Sequence, residues 1–375
     1  MEVKERMGSK IVKLTTASVR IVILTMVLVL ASSSWSVLGF TIDRDVTVGQ
    51  MFLLENNRVW PTGVPYIYAE PCNLLSGYPD PDWQIYCSGE PHEWQAEYFR
   101  QALHRLIDRD EIAALYPDPI KKAKRWLPEG TPGLWNKPRL RLPTCDRMLA
   151  VELLDAAGFV QGTELNPDYD PIEPWSAEYI RIDPISGLHL DEMTYTYYPA
   201  CGDPVTITGI EYYTIGPAES PLGFEMATMI TEWWRTAGIP VDLVAGTWLG
   251  MTARLINYVL EDYQIMTDFS VSWDVAPLPT PPYILRDFTY SKNLPLWNFV
   301  YMNYSCPDDG VFCDPPPVNP YEYATNRDAD YWGLEMLNTP PSPQNLQYLK
   351  HTAHQIQEVL STHEPYLPLL EWMYE

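Results

Sequence analysis

From Thr206 to Trp273 the apolar residues switch repeatedly between strand and helix periods, and this alternation limits the fold more than any other feature of the chain. Ile210 to Ile215 is a strand-like run with Tyr212 and Tyr213 inside it. Ser220-Pro221 comes next, a helix N-cap type with proline at the first helical position. Leu222, Met226, Met229, Ile230, Trp233, Trp234 and Ala237 then form a broad apolar stripe at helical spacing. Gly238 stops it, and Ile239, Val241 and Leu243 alternate as a strand. Thr206 to Ala245 thus reads as one β-α-β unit. A helix from about Thr247 to Leu260 and a strand from Tyr263 to Trp273 extend it, and the series predicts an α/β domain.

The flanks carry further elements. Phe99, Leu103, Leu106 and Ile107, with Ala102 between them, predict one amphipathic helix from Ala96 to about Ala114. A second helix starts near Asp146, passes through Leu149, Leu153 and Leu154, and stops at Gly158. Ser342-Pro343 opens the last helix, with Leu346, Leu349, Ala353, Ile356 and Leu360 on its apolar face, and Pro365 to Leu369 closes the chain as an extended segment. Thr41 to His92 and Trp273 to Asn338 are dense in turn residues and read as mostly irregular.

At the amino terminus Lys4, Arg6, Lys10, Lys13 and Arg20 precede an uncharged run from Ile21 to Phe40. Its most apolar part, Ile21 to Ala31, has the length of a signal-peptide core, and Ser32 to Gly39 offers small residues for cleavage. Left uncleaved, the whole run is long enough to anchor the chain in a membrane. Either way the basic flank places the remainder outside the cytoplasm. In that compartment cysteines can pair. Cys72 and Cys87 bracket one short loop and Cys306 and Cys313 another; disulfides closing such loops are the reading, with the connectivity left open. The net charge of −24 excludes a nucleic-acid partner, which needs basic surface. With 14 Trp and 25 Tyr the chain has ample material for a core.

Several stretches, in order, resemble family 5 of the bacterial and archaeal extracellular solute-binding proteins. Phe99-Arg100-Gln101-Ala102-Leu103 followed by Leu106-Ile107-Asp108-Arg109-Asp110-Glu111-Ile112 is similar to the family's most recognisable helix, and Asn56-Asn57 to the strand end before it. Ala150 to Phe159 resembles the next helix with its glycine stop, and Ala237-Gly238-Ile239 with Val241 the later helix-to-strand junction. Asn326, Asp330, Tyr331 and Trp332 resemble the segment before the last helix; Gln355, Glu364-Pro365 and Leu367-Pro368-Leu369 resemble the family's end. The resemblance implies a periplasmic-binding-protein-like architecture (type II, cluster C), an α/β lobe with most of the amino-terminal lobe missing. The domain reading is residues 1–40 as signal peptide or membrane anchor, 41–95 as a short loop-rich remnant, and 96–375 as the carboxy-terminal solute-binding lobe with a returning terminal segment.

For function, the resemblance sets an expectation of binding without chemistry. It implies the extracytoplasmic substrate-binding component of an ABC importer, with a peptide or oligosaccharide as ligand and with permease and ATPase subunits as partners. A truncated, non-binding remnant and a secreted carbohydrate-active enzyme are the competing readings. Trp273 and Asp274 fall where peptide binders of the family place an aromatic wall and the partner of the ligand's amino terminus. Trp248, Tyr283, Arg286 and Trp297 lie in or beside loops after predicted strands, where ligands of open α/β sheets sit. No cofactor or metal is expected. His351 and His354 share a helix face without the glutamate that a zinc motif places beside such a pair. No nucleophile elbow or phosphate-cradling glycine loop occurs.

Overall fold

The structure, a computed structural model, describes residues 47–57, 59–63, 92–129, 131, 135–197, 205–256, 263–274, 285, 332–333 and 335–374. All of them fall in the compact unit Asp45–Glu375, and the proposed export segment lies outside them. In chain order the elements are β1 (Thr47–Glu55), α1 (Glu93–Leu106), α2 (Arg109–Ala114), β2 (Lys121–Lys122), α3 (Arg147–Ala156), β3 (Gln161–Leu165), β4 (Tyr179–Arg181), β5 (Thr194–Tyr197), β6 (Val205–Thr208) and β7 (Ile210–Ile215). Then come α4 (Pro221–Thr236), β8 (Val241–Gly246), α5 (Trp248–Ile256), β9 (Ile265–Asp274), α6 (Leu346–His363) and β10 (Tyr366–Tyr374).

A six-stranded sheet in the order β2-β10-β1-β9-β7-β8 organises them. The predicted β-α-β series forms its parallel part, with β8 and β9 on either side of β7. The antiparallel part contains a correction. Thr47–Glu55, inside the stretch read as irregular, is strand β1, paired with both β9 and β10. Its signal is Met51-Phe52-Leu53-Leu54, a continuous apolar run of the kind a strand buried on both faces requires. Leu53 points into one apolar layer, while Phe52 and Leu54 point into the other. β1 ends just before Asn56-Asn57, where the resemblance puts a strand end.

The two layers divide the helices. On one face Phe99, Leu103 and Leu106 of α1, Leu154 of α3, and Met226, Ile230 and Trp234 of α4 pack on Ile210, Tyr212 and Val241. Trp234 is fully buried, and its indole N–H donates to the Leu103 carbonyl at 3.1 Å, tying α4 to α1 without leaving a polar atom unpaired. Burial of an indole at this scale is worth about 4–6 kcal/mol. On the other face Met251 of α5 and Leu349, Ala353, Ile356 and Leu360 of α6 pack on Tyr213, Ile215 and Met266. Among the described residues no helix is long and apolar enough to cross a membrane.

The single helix expected over Ala96–Ala114 is two. Asp108 breaks it, leaving the helical region to accept hydrogen bonds from the Asp110 and Glu111 amides as the N-cap of α2. The break swings Arg109 inward, where its guanidinium collects the carbonyls of Ala123 at 2.6 Å and Pro368 at 3.3 Å. Pro368 has no N–H to give the ladder, and the register with β1 shifts at that point, between Met51 and Phe52. Arg100 works in the same way from α1. It reaches the Thr62 carbonyl at 2.6 Å and, at the end of α6, the His363 carbonyl at 3.1 Å.

One buried charged network joins these pieces. The His104 ring has Nε2 2.9 Å from Glu55 and Nδ1 3.1 Å from Glu364, with no exposure of the ring. Arg105 grips both oxygens of Glu364, each at 2.9 Å. Glu364 itself adopts a left-handed backbone at the turn from α6 to β10. With a carboxylate at each nitrogen, the ring needs both protons. Burial pulls its pKa down, but the Glu55 charge and the hydrogen bonds to Glu364 and Glu55 outweigh that and raise it above 6.5. Burial pushes Glu364 up, yet His104 and Arg105 hold it below 4.5. The histidine contribution is therefore complete below pH 6.5 and is lost as pH rises through the raised value. The Glu364 contribution is complete above pH 4.5 and is lost as pH falls through the lowered one. Substituting His104→Leu strands Glu55 without its partner, and urea unfolding at pH 6 is expected to show a loss of about 3–5 kcal/mol. The alkaline decline of wild-type stability should be reduced in the variant; an undiminished decline would remove His104 as its source.

Candidate functional site: the carboxyl edge of the parallel strands

In a sheet of this topology the loops leaving β7 and β8 turn to opposite faces, which opens the edge beyond their carboxyl ends. The loop Gly216–Ser220 leads from β7 into α4, and Thr247 leads from β8 into α5. The two loops are cross-tied. The Gly216 amide donates to the Gly246 carbonyl at 2.7 Å, and the Trp248 amide donates to Glu219 at 2.7 Å. Glu219 thereby caps α5 from a distant loop, and the Thr247 hydroxyl accepts from the Gly250 amide at 3.1 Å. On the sheet side Arg254 lies 4.1 Å over the Tyr213 ring, seating α5 against β7.

Beneath this edge sits a buried carboxylate that no sequence motif marks. The register of β1 with β9 shifts between Phe52 and Leu54, and within the bulge this makes in β9 Asp268 has a positive φ of 65°. The bulge turns the side chain out of the strand's alternation and toward the start of α4. Asp268 is 6% exposed, and it accepts from the Thr214 hydroxyl at 3.4 Å, from the Ser220 hydroxyl and from the Ile215 amide. Ser220 holds the predicted N-cap position but makes no side-chain bond to the helix, because its hydroxyl is turned to Asp268 instead. Gly223 in the first turn of α4 lies against the carboxylate, and a Cβ there would overlap both oxygens. Burial pushes the Asp268 pKa up to about 6, against the pull of its hydrogen bonds. Burial, with the Asp268 charge adding to it, also raises the Tyr116 and Tyr212 hydroxyls. The carboxylate is saturated by its own neighbours; its role is to hold the loop and the helix start in place. An Asp after the apolar run Ile265-Met266-Thr267 was the available signal, since strands disfavour it.

The outward surface of the edge is apolar with one acid. Trp248 is 50% exposed and Leu249 75%, with Leu222 and Glu219 also open to solvent. Of the residues picked from sequence, Trp248 is therefore placed here. Trp273 and Asp274 are the last residues of β9, paired along the backbone with Val48 and Thr47. By the register of β7 with β9, they stand several residues past the end of β7, on the order of 15–20 Å along the strand. Tyr283, Arg286 and Trp297 lie outside the described residues, as do Cys72, Cys87, Cys306 and Cys313. Cys145 has a free thiol. His351 stands edge-on to the Trp332 ring at 5.2 Å.

No family model and no curated protein matches the chain. Solved structures do. AppA, the oligopeptide-binding protein of Bacillus subtilis in complex with a nonapeptide, matches at TM-score 0.51 and 13% identity, over 88% of this chain and 47% of AppA. NikZ from Campylobacter jejuni in complex with Ni(L-His) gives 0.49 and 15%, over 89% of this chain and 49% of NikZ. Lactococcal OppA, closed on an endogenous peptide, gives 0.49 and 12%, over 88% of this chain and 46% of OppA. The fold is the α/β fold of periplasmic-binding-protein-like solute-binding proteins, and the chain spans about half the length of these structures.

Two substitutions test the buried acid. Gly223→Ala should destabilise the fold by about 1–3 kcal/mol in urea unfolding, as overpacking does. A carboxyl whose folded pKa is raised costs stability as pH climbs from 3.8 through about 6. Between pH 4 and pH 8 the difference between Asp268→Asn and wild type should therefore move in the variant's favour, by up to about 3 kcal/mol. A pH-independent difference would mean that Asp268 is not held in this strained, buried state.

Proposed function

We propose that the chain is the solute-binding component of an ABC importer, acting outside the cytoplasm and delivering an oligopeptide to a membrane permease driven by ATPase subunits. The observation that supports this most is the likeness of fold to AppA, whose structure holds a nonapeptide. The order of the sequence motifs agrees with it, because Arg100, Arg109 and the Glu364-Pro365 turn are all used to hold this same fold together. Residues 1–40 serve as signal peptide or anchor. In this reading the ligand lies across the carboxyl edge. Trp248 and Leu249 offer it apolar contact. Asp274, at the end of β9, takes the peptide's amino terminus in a charge-assisted bond, with Trp273 as the aromatic wall beside it. Binding shifts the population toward a closed state only as far as the ligand prefers that state.

The test is thermal unfolding of the chain with pools of peptides and, separately, of oligosaccharides. A ligand at a hundred times its dissociation constant stabilises the fold by about 2.7 kcal/mol, a shift of a few degrees for a chain of this size. A shift with peptides only is the expected result; a shift with sugars only would move the ligand class. Asp274→Asn and Trp273→Ala should each weaken peptide binding at least about tenfold, or about 1.4 kcal/mol, with no change in unliganded melting. Recovery of a chemically altered solute, or a melt indifferent to both pools, would overturn the proposal.

A further inference from the structure

A second constellation lies away from the carboxyl edge, on the small β3–β4 sheet. Glu164 belongs to β3. His189 makes an isolated antiparallel bridge with Ile182, just past β4. Glu192 comes next in a turn in which the Glu192 and Met193 amides both donate to the His189 carbonyl at 3.0 Å, and this returns Glu192 to the side of the imidazole. His189 Nδ1 stands 3.3 Å from a Glu164 oxygen and 3.6 Å from a Glu192 oxygen. All three donor atoms lie within 4.8 Å of one another.

The ring is held in place. Its side chain is 18% exposed and it rests on the backbone at Gly162, where a Cβ would stand 2.7 Å from both Cδ2 and Nε2. Ile182 closes the same spot, 2.9 Å from that Cβ position. Only glycine leaves room for the ring to lie flat with Nδ1 directed at the carboxylates. The two glutamates, each about half exposed, can turn their oxygens toward a common point.

A plain ion pair accounts for one carboxylate at this nitrogen, not two. Even a doubly protonated ring leaves the trio at −1, and a neutral ring leaves it at −2. Among the described residues no Lys or Arg forms an ion pair with either glutamate. The spacing has a direct reading. Ligands at about 2.0–2.2 Å from a tetrahedral zinc ion stand roughly 3.3–3.6 Å apart; the two separations from Nδ1 are 3.3 and 3.6 Å, and the carboxylate oxygens stand within 4.8 Å of each other, a gap that a small turn of either half-exposed glutamate closes. We propose that Glu164, His189 and Glu192 form a site for a divalent transition-metal cation of the zinc class. Nδ1 and one oxygen from each carboxylate bind the ion, and the fourth position stays open to water. A mixed nitrogen and oxygen set selects zinc, nickel or cobalt over calcium or magnesium, which take oxygen alone. The Thr163 amide donates to Nε2 at 3.4 Å, a long contact. Binding at Nδ1 places the ring proton on Nε2 and gives up that contact, which is weak at such a distance. The ion would clamp β3 to the His189–Glu192 turn.

The experiment is calorimetric titration of the full chain, stripped with a chelator, with zinc chloride in the presence of excess magnesium to occupy the general acidic surface. One saturable equivalent is expected. His189→Gln, Glu164→Gln and Glu192→Gln should each weaken it at least about tenfold, and Gly162→Ala should weaken it by lifting the ring. Melting of each variant in chelator, unchanged from wild type, separates ligand loss from misfolding. For a variant that fails this control, the ring 15N shift of His189 in the wild-type protein reports zinc at Nδ1 directly. The double variant His351→Gln/His354→Gln should bind as wild type does. Absence of saturable binding, binding unchanged in His189→Gln, or several weak equivalents indifferent to all variants would overturn the proposal.

Discussion

Glu55, His104, Arg105 and Glu364 bring two acids and two bases together where water hardly reaches, and they come from three different pieces of the architecture. Glu55 ends β1, His104 and Arg105 belong to the last turn of α1, and Glu364 forms the turn between α6 and β10. Charges in such a place are tolerated only when each is answered. The answer is geometric: one ring nitrogen for each glutamate and a forked guanidinium for the second. The first described strand, the helix packed on it and the last strand of the chain are thus held in one register by a cluster that sums to zero charge. Hydrophobic layers alone would have allowed those three elements to slide. Arg100 and Arg109 extend the same logic, since each collects backbone carbonyls from segments far apart in sequence.

The carboxyl edge depends on a second buried group, placed by a defect in the sheet. The bulge opposite Leu53 turns Asp268 from a strand residue into a support beneath the β7–α4 loop. The Ser220 hydroxyl bonds the acid rather than its own helix, and Gly223 makes room for the carboxylate. The raised pKa shows that the group is held at a cost to stability. What this cost secures is the position of Glu219 and of Trp248, whose amide Glu219 binds. The exposed aromatic ledge of the edge therefore rests on a polar foundation.

Much of the architecture was legible beforehand, and for identifiable reasons. The stripe from Leu222 to Ala237 and the alternation after Gly238 announce α4 and β8, because a helix packed on a sheet must repeat near every fourth residue. Asp146 was readable as a cap, and its carboxylate does accept from the Leu149 amide. β1 was missed, although Met51 to Leu54 carried its signal: an apolar run buried on both faces has no alternation to display. The break at Asp108 was missed because the apolar spacing continues across it, and only the position of Arg109 in the core requires the kink.

The site was less legible than the fold. Trp248 could be chosen from its place after a strand, and it is at the edge; Trp273 and Asp274, picked by the family resemblance, also end a strand, and that strand runs several residues past β7. The rule counts residues from a strand end, while distance depends on how far β9 overruns β7, which is a matter of pairing register. Asp268 carried only the mark of an acid within a strand run, and the trio Glu164, His189 and Glu192 had no local pattern at all. Local periodicity and caps are properties of neighbouring residues, so the chain's own order determined the α/β class, most helix limits and the β-α-β series. Register, bulges and contacts between distant segments arise only when the strands pair, and so the folded sheet alone set where the buried acid points, which side chains share the edge, and which carboxylates meet one imidazole.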